Sequence, residues 1–311
     1  MTDSALKRAW IQRWPSPAKI NRFLHIVGRR SDGYHLIQSV FQIVDYCDYL
    51  KYSHTNHHSI TISNSIESVE DKDNLIIKAA QLLQSHCQIK SGVTISIEKN
   101  IPMGAGLGGG SSNAATTLLA LNLLWDCQQT PKELSKLALK LGADVPFFIQ
   151  GKNALVEGIG ENITPLKIDC PWLLLAIPDT HISTKDIFTS KNLKRDTHII
   201  SIKQLNQLHS NAQQLIPLGN YGSNDCEEVV KIQYPKVNQV FKILEGTSNP
   251  RLTGTGSCIF SLFNSKIEAN QAIPNKSKQT QFLVKKSLFE SPILSVLKNF
   301  TNIHSDNHNL R

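Results

Sequence analysis

The stretch Pro102-Met103-Gly104-Ala105-Gly106-Leu107-Gly108-Gly109-Gly110-Ser111-Ser112-Asn113 places five glycines within seven positions. Glycine loses more conformational freedom on folding than any other residue. Such density implies a backbone that must come very close to a ligand. Upstream, Val93-Thr94-Ile95-Ser96-Ile97 alternates apolar and polar residues, as a half-buried strand does. Downstream, residues 114–125 form an alanine- and leucine-rich helical run, with Ser111, Ser112 and Asn113 as cap-type side chains at its start. The order is therefore strand, glycine loop, helix N-terminus. That end of a helix offers free N–H groups and a partial positive charge, which suits phosphate. A capped glycine turn without a ligand is the plainer alternative. The pattern G-x-x-x-x-G-K-[ST] is absent, since no lysine precedes Ser111. Gly104, Gly106 and Gly109 satisfy G-x-G-x-x-G, but a dinucleotide site needs an acidic residue ending a second strand about 20 residues on. Here that region is still helix, or the turn ending it near Asp126.

The 311 residues are enough for two packed domains. An apolar share of 40% with scattered charge reads as soluble and globular. The apolar runs, such as residues 172–177, are far too short to span a membrane. Lys7 and Arg8 are followed by no apolar segment, so a secretory signal is not expected. Six widely spaced cysteines without a C-x-x-C pair fit reduced thiols of a cytoplasmic protein. The net charge of +8 suits a substrate carrying several phosphates. No long basic run or arginine–aromatic repeat points to nucleic acid.

Other candidates lie along the chain. Residues 1–14 are a polar lead, and a strand starts at Ala18, with Lys19 and Asn21 on one face. They fit a polar site and a solvated face equally. Asp32-Gly33 is a turn signal between two strands, and Tyr34 and His35 follow it, as surface residues or as ligand contacts. His54, His57 and His58 have no standard metal spacing and are expected at the surface. Residues 65–73 are an acidic loop, and Asp73 is expected to cap the next helix. Thr130-Pro131-Lys132-Glu133 is a capping box opening a helix expected to reach Leu141, with Gly142 ending it. Asp144, in Gly142-Ala143-Asp144-Val145-Pro146-Phe147-Phe148, is either the N-cap of a short helix or a catalytic carboxylate. Strand, turn and strand are expected over 151–165, a helix after Pro235 ended by Gly246, and a second glycine turn at 252–260 entering a strand. Residues 190–222 are polar and irregular, and 301–311 are expected to fray.

Pro102, Gly106, Leu107, Gly108, Ser111 and Ser112 resemble the ATP loop of the GHMP kinases, P-x-x-x-G-L-G-S-S-A-A. The extra Gly109-Gly110, with Pro17-Ala18-Lys19-Ile20-Asn21, Asp32-Gly33-Tyr34-His35, the 142–148 motif and Asn224-Asp225-Cys226-Glu227, resembles the 4-diphosphocytidyl-2-C-methyl-D-erythritol kinases within them. The resemblance covers residues 17 to 260 in order. It implies an α+β protein of two domains: residues 1–168, ATP-binding and similar to the second domain of ribosomal protein S5, and residues 169–311, ferredoxin-like. It implies ATP with Mg²⁺, a small-molecule cytidine diphosphate substrate phosphorylated on its 2-hydroxyl, no nucleic-acid or membrane partner, and a monomer or weak homodimer.

Residue by residue, the resemblance implies that Asp144 is the catalytic base and Lys19 its catalytic partner. Residues Pro102, Met103, Gly104, Ala105, Gly106, Leu107, Gly108, Gly109, Gly110, Ser111 and Ser112 would hold the nucleotide phosphates. Asn74, Leu75 and Lys99 would lie around the adenine. Asn21, Tyr34, His35, Thr184 and Phe188 would contact the substrate, with Tyr34 and Phe188 stacking on its cytosine. Two departures from the family's usual pattern stand out, Thr180-His181 where a small residue is common and Ser183 where proline is common. A homoserine- or mevalonate-type kinase would have no use for Tyr34, His35 and Phe188. A non-enzymatic nucleotide or nucleic-acid binder would need neither Lys19 nor Asp144.

Overall fold

The computed structural model describes residues 3–64, 71–207, 215–274 and 279–301. Most of the acidic loop and almost all of the 301–311 tail fall outside these.

The strands are β1 (Trp14–Arg29), β2 (His35–Thr55), β3 (Ile60–Ile62), β4 (Gly92–Glu98), β5 (Ala154–Gly158), β6 (Asn162–Pro165), β7 (Trp172–Pro178), β8 (Arg251–Leu252), β9 (Ile259–Phe263) and β10 (Thr280–Lys286). The helices are α1 (Asp3–Trp10), α2 (Leu75–His86), α3 (Gly109–Leu124), α4 (Pro131–Leu139), α5 (Val145–Gln150), α6 (Thr184–Thr189), α7 (Ile202–Gln207), α8 (Glu227–Gln233), α9 (Pro235–Glu245), α10 (Lys266–Gln271) and α11 (Pro292–Thr301). The first sheet runs β3-β4-β2-β5-β6, with β1 paired to β2. The second is β10-β7-β9-β8, antiparallel throughout.

β1 is apolar or small at most positions and is buried along its first thirteen residues. Its pairing with β2 slips between Asn21 and Phe23, one of three irregularities. A bulge bends a strand and re-aims its side chains, and this one lies immediately beyond the Lys19–Asn21 face. Asp32-Gly33 makes the turn into β2, with Gly33 at φ 91°.

Helices α2 to α5 and the final helix α11 cover the first sheet in one apolar core that includes Phe41, Leu118, Phe147 and Phe300. The second sheet has its own core with α8 and α9, around Leu174, Val230 and Phe241. A third cluster joins the two sheets: Ala18, Ile20, Ala105 and Leu107 pack on Leu173, Leu175 and Phe260. The glycine loop is thus held at the seam between the sheets.

Several local expectations are corrected. Residues 3–10 form α1, with Ala5 and Ala9 buried, so the lead segment is not merely polar. Helix α2 is capped by Asn74, whose Oδ1 accepts from the Ile76 N–H; Asp73 ends the preceding 3₁₀ turn. Helix α3 starts at Gly109 with Gly108 as N-cap and no side-chain cap, so Ser111, Ser112 and Asn113 lie in its first turns. A serine cap would occupy the N–H groups that this helix end leaves open. The capping box at Thr130 is formed, and α4 ends at Leu139, two residues before the expected end.

Candidate active site

β1 presents Lys19 and Asn21 toward the cleft beneath the seam. Lys19 Nζ donates to Asn21 Oδ1 at 2.8 Å, lies 3.3 Å from Asp144 Oδ2, and stands 4.1 Å from the centre of the Phe41 ring. The Lys19 side chain is only 5% exposed, whereas that of Asp144 is 30% exposed. A buried ammonium therefore faces a carboxylate that keeps one side open. Asp144 occupies the N-cap position of α5, yet its carboxylate caps nothing. Pro146 in the first turn of α5 removes one N–H that a cap would have served. Asn21 is fixed in turn: its Nδ2 donates to Ser39 Oγ at 2.8 Å and its N–H to Thr253 Oγ1 at 3.0 Å.

The glycine loop is stitched to this centre. The Lys19 N–H donates to the Leu107 carbonyl at 2.9 Å, and the Cys258 N–H to the Ala105 carbonyl at 3.1 Å. Gly106 has φ 75°, and a Cβ there would meet the Thr253 carbonyl oxygen at 2.3 Å. Gly108 has φ 71°, with Lys19 Cγ and the Phe148 ring each 3.0 Å from the place of its missing Cβ. A side chain at Gly106 would overlap backbone, and at both positions the left-handed backbone strains residues other than glycine. Gly110 and Met103 are exposed, Pro102 and Ser111 half-buried. Ser112 is fully buried and accepts from Ser16 Oγ at 2.9 Å, so its hydroxyl faces the core instead of a phosphate. The two departures have structural roles. Ser183 caps α6, and the His181 ring lies against Gly104.

One cleft of about 660 Å³ runs from Lys19, Asp144, Gly106 and Gly108 to Tyr34, His35 and Phe188. At its outer end the His35 and Phe188 rings lie 5.1 Å apart and 33° from parallel. Tyr34 is 62% exposed at the rim. Thr184 joins α6 to the second glycine turn through Thr255, Oγ1 to Oγ1 at 3.1 Å. Arg29 and Lys185 add positive charge along the wall.

Comparison with known proteins agrees with this geometry. The GHMP kinases N terminal domain matches residues 74–152, and the GHMP kinases C terminal domain residues 201–275. The 4-diphosphocytidyl-2-C-methyl-D-erythritol kinase of Hahella chejuensis is 45% identical over 295 residues, covering 92% of this chain and 97% of that one. The chain belongs to the 4-diphosphocytidyl-2-C-methyl-D-erythritol kinases. The kinase of that name from Colwellia psychrerythraea is 44% identical over 284 residues, 91% of this chain and 92% of its own. A crystal structure of a 4-(cytidine 5'-diphospho)-2C-methyl-D-erythritol kinase superposes with a TM-score of 0.74 at 26% identity, covering 89% of this chain and 99% of that one. The mevalonate kinase of Methanococcus jannaschii, at 16% identity and a TM-score of 0.62 over 89% and 98% of the two chains, shares the fold. The two-sheet α+β fold is that of the GHMP kinases, and the chain is an ATP-dependent small-molecule kinase.

The remaining expected contacts of the kinase divide. Leu75 approaches Gly110, its Cδ1 3.7 Å from where a Cβ would stand, and Lys99 Nζ comes as near as 3.2 Å at Gly109, so both reach the start of α3. Lys99 is already engaged: it donates to Asp48 Oδ2 at 2.6 Å and to the Ile101 carbonyl at 2.5 Å. Burial pushes its ammonium below the ordinary lysine value, with Asp48 opposing. Asn74 is buried and spent as the α2 cap.

Asp48 went unseen in the sequence. It is fully buried and accepts from the N–H groups of Asn100 and Ile101 and from Asn113 Nδ2, fixing the strand end that leads into the loop. Asn224 also acts at a distance, donating to the Leu252 and Gly254 carbonyls and so shaping the second glycine turn. His54, His57 and His58 are exposed, and among the described residues no group of three or more His, Cys, Asp or Glu side chains could hold a metal. No helix among the described residues is long and apolar enough to cross a membrane.

Proposed function

We propose that this kinase transfers the γ-phosphoryl group of ATP to the 2-hydroxyl of 4-diphosphocytidyl-2-C-methyl-D-erythritol, giving the 2-phosphate and ADP in the non-mevalonate route to isoprenoid precursors. The observation that carries this is a single cleft with the Lys19–Asp144 pair at one end and the His35–Phe188 ring pair at the other. Such a cleft suits an alcohol joined to an aromatic base through a charged linker. Homoserine and mevalonate would leave the aromatic end empty.

In this mechanism the free N–H groups at the start of α3 and the glycine loop hold the triphosphate. Asp144 accepts the proton of the 2-hydroxyl as its oxygen bonds to the γ-phosphorus, and the bond to the β-phosphate oxygen breaks, releasing ADP. Lys19 orients both the hydroxyl and the carboxylate. Positioning and charge stabilisation supply most of the acceleration in phosphoryl transfer. Arg29 and Lys185 face the substrate diphosphate. Mg²⁺ would arrive on the nucleotide, held chiefly by its phosphates, with the Ser111 hydroxyl at the start of α3 as a side chain that would share it; it would neutralise charge on the transferring group. Adenine would lie by Leu75 and Lys99.

The working unit in this reading is a monomer or weak homodimer. Six free thiols favour the cytoplasm. A boundary near residue 168 separates the ATP-binding and C-terminal domains, falling between β6 and β7, with α11 as a returning segment. The test is ADP release with Mg-ATP, comparing 4-diphosphocytidyl-2-C-methyl-D-erythritol with homoserine, mevalonate and the methylerythritol lacking its cytidine. Turnover of the cytidine compound alone is expected. Equal turnover of any of the others would overturn the substrate assignment.

A further inference from the structure

The polar segment after α6 sends one side chain back to the cleft. Arg195 donates from Nε to His35 Nε2 at 3.1 Å. Its Nη2 donates to the carbonyls of Phe188 at 3.1 Å and Ser190 at 2.7 Å, and its Nη1 to that of Leu193 at 2.9 Å. One planar guanidinium is therefore bonded to both walls of the outer cleft, the start of β2 and the end of α6. A cation is favoured beside the open carbonyls of a helix C-terminus, so the sequence places Arg195 well even before His35 is considered.

Arginine has donors only. A histidine nitrogen that accepts from it must carry a lone pair, and the ring hydrogen then sits on the other nitrogen. In His35 that nitrogen is Nδ1, which makes no hydrogen bond to another described residue. We propose that Arg195 is a positioning residue of the base pocket, holding His35 as the neutral Nδ1–H tautomer and tying it to the Phe188 wall, so that the histidine offers a hydrogen-bond donor to an acceptor edge such as a pyrimidine carbonyl or ring nitrogen. This rests on the assignment of the outer cleft to the cytosine. The charges around the ring favour the neutral form. Arg195 faces it from the segment after α6 and Arg29 from β1, while Asp32 is engaged with Arg30 at 2.8 Å and Lys185 stands on α6. Burial first, then Arg195 and Arg29, push the His35 ring below the ordinary histidine value.

A guanidinium that only clips the end of α6 would leave the tautomer of His35 free, and that separates the two roles. Nitrogen-15 spectra of the intact enzyme at pH 8 read the tautomer directly, with the His35 signals assigned among the 11 histidines by their loss in His35→Asn. The expected result is a protonated Nδ1 and a bare Nε2 in the wild type, giving way to a tautomer mixture in Arg195→Met. In kinetics, Arg195→Met should raise KM for the cytidine diphosphate substrate about tenfold or more, the loss of a charge-assisted bond. Its kcat and its KM for ATP should stay within about twofold, since Arg195 touches neither the phosphates nor Lys19. Arg195→Lys should not rescue KM, because one ammonium cannot serve both walls. A protonated Nε2 in the wild type would overturn the proposal even if Arg195→Met failed to fold. So would an unchanged KM alongside a changed tautomer. If the tautomer behaves as expected but the wild type shows no preference for the cytidine compound, the base-pocket assignment fails and the tautomer lock stands.

Discussion

The two ends of the cleft are built differently. At the inner end, Lys19 and Asn21 stand on a strand buried on both faces, and Asp144 sits where one helix hands over to the next. Each polar group there is fixed by at least one partner at hydrogen-bonding or ion-pair distance. At the outer end, Tyr34 and His35 follow a hairpin turn and Phe188 belongs to a helix of six residues. Bond-making needs reacting atoms held closely in place, and a buried strand paired with a helix-junction carboxylate offers that here. Recognition of a flat ring needs area and tolerates movement, which turns and short helices supply.

Substitutions should separate the two ends. The largest effect is expected from Asp144→Asn, a loss of about 10²- to 10⁴-fold in kcat with the Kd for ATP little changed; full turnover would remove the base assignment. Gly106→Ala comes next. Its Cβ has no room beside the Thr253 carbonyl and its φ is positive, so stability should fall by about 1–3 kcal/mol and the KM for ATP should rise more than that for the cytidine substrate. An alanine variant with wild-type melting and ATP kinetics would show that the loop does not depend on this contact. Phe188→Ala should leave kcat almost intact and raise KM for the cytidine substrate about 5- to 150-fold, the value of one stacked base. Equal effects on kcat and KM would tie the outer end to the chemistry.

Acid is a milder probe. His25 and His35 both have depressed values in the fold, chiefly through burial. The unfolded chain therefore binds more protons than the native one below about pH 6.5, so stability is full above that value and declines as pH falls through it. Urea midpoints measured from pH 8 to pH 5 should be flat and then drop; a midpoint that rises on acidification would contradict these burials. The smallest effect belongs far from the cleft. Thr130→Ala removes the capping box of α4 and should cost about 1 kcal/mol in chemical unfolding with unchanged kinetics.

The sequence disclosed what is local. The glycine loop, the Asp32-Gly33 turn and the Thr130 box are patterns a few residues long, and their geometry follows from the residues that make them. At Asp144 two local roles fitted equally; in the fold its carboxylate caps nothing and lies beside Lys19, a side chain 125 positions away that no local pattern could bring to it. Ser112 resembles a helix cap in the sequence, and nothing nearby reveals that its hydroxyl meets Ser16 in the core. Asp48 and Arg195 were invisible for the same reason: their partners lie up to 160 residues away and neither belongs to a compact pattern.

The contact between Gly106 and the Thr253 carbonyl, with Asn21 donating its N–H to the hydroxyl of the same threonine, carries a consequence for how the molecule comes into being. The nucleotide loop is shaped by backbone made almost 150 residues later. During synthesis the loop and the Lys19 strand emerge first and stay unfinished until the second glycine turn reaches them, so a nascent chain halted before that turn would hold every catalytic side chain and still lack the site.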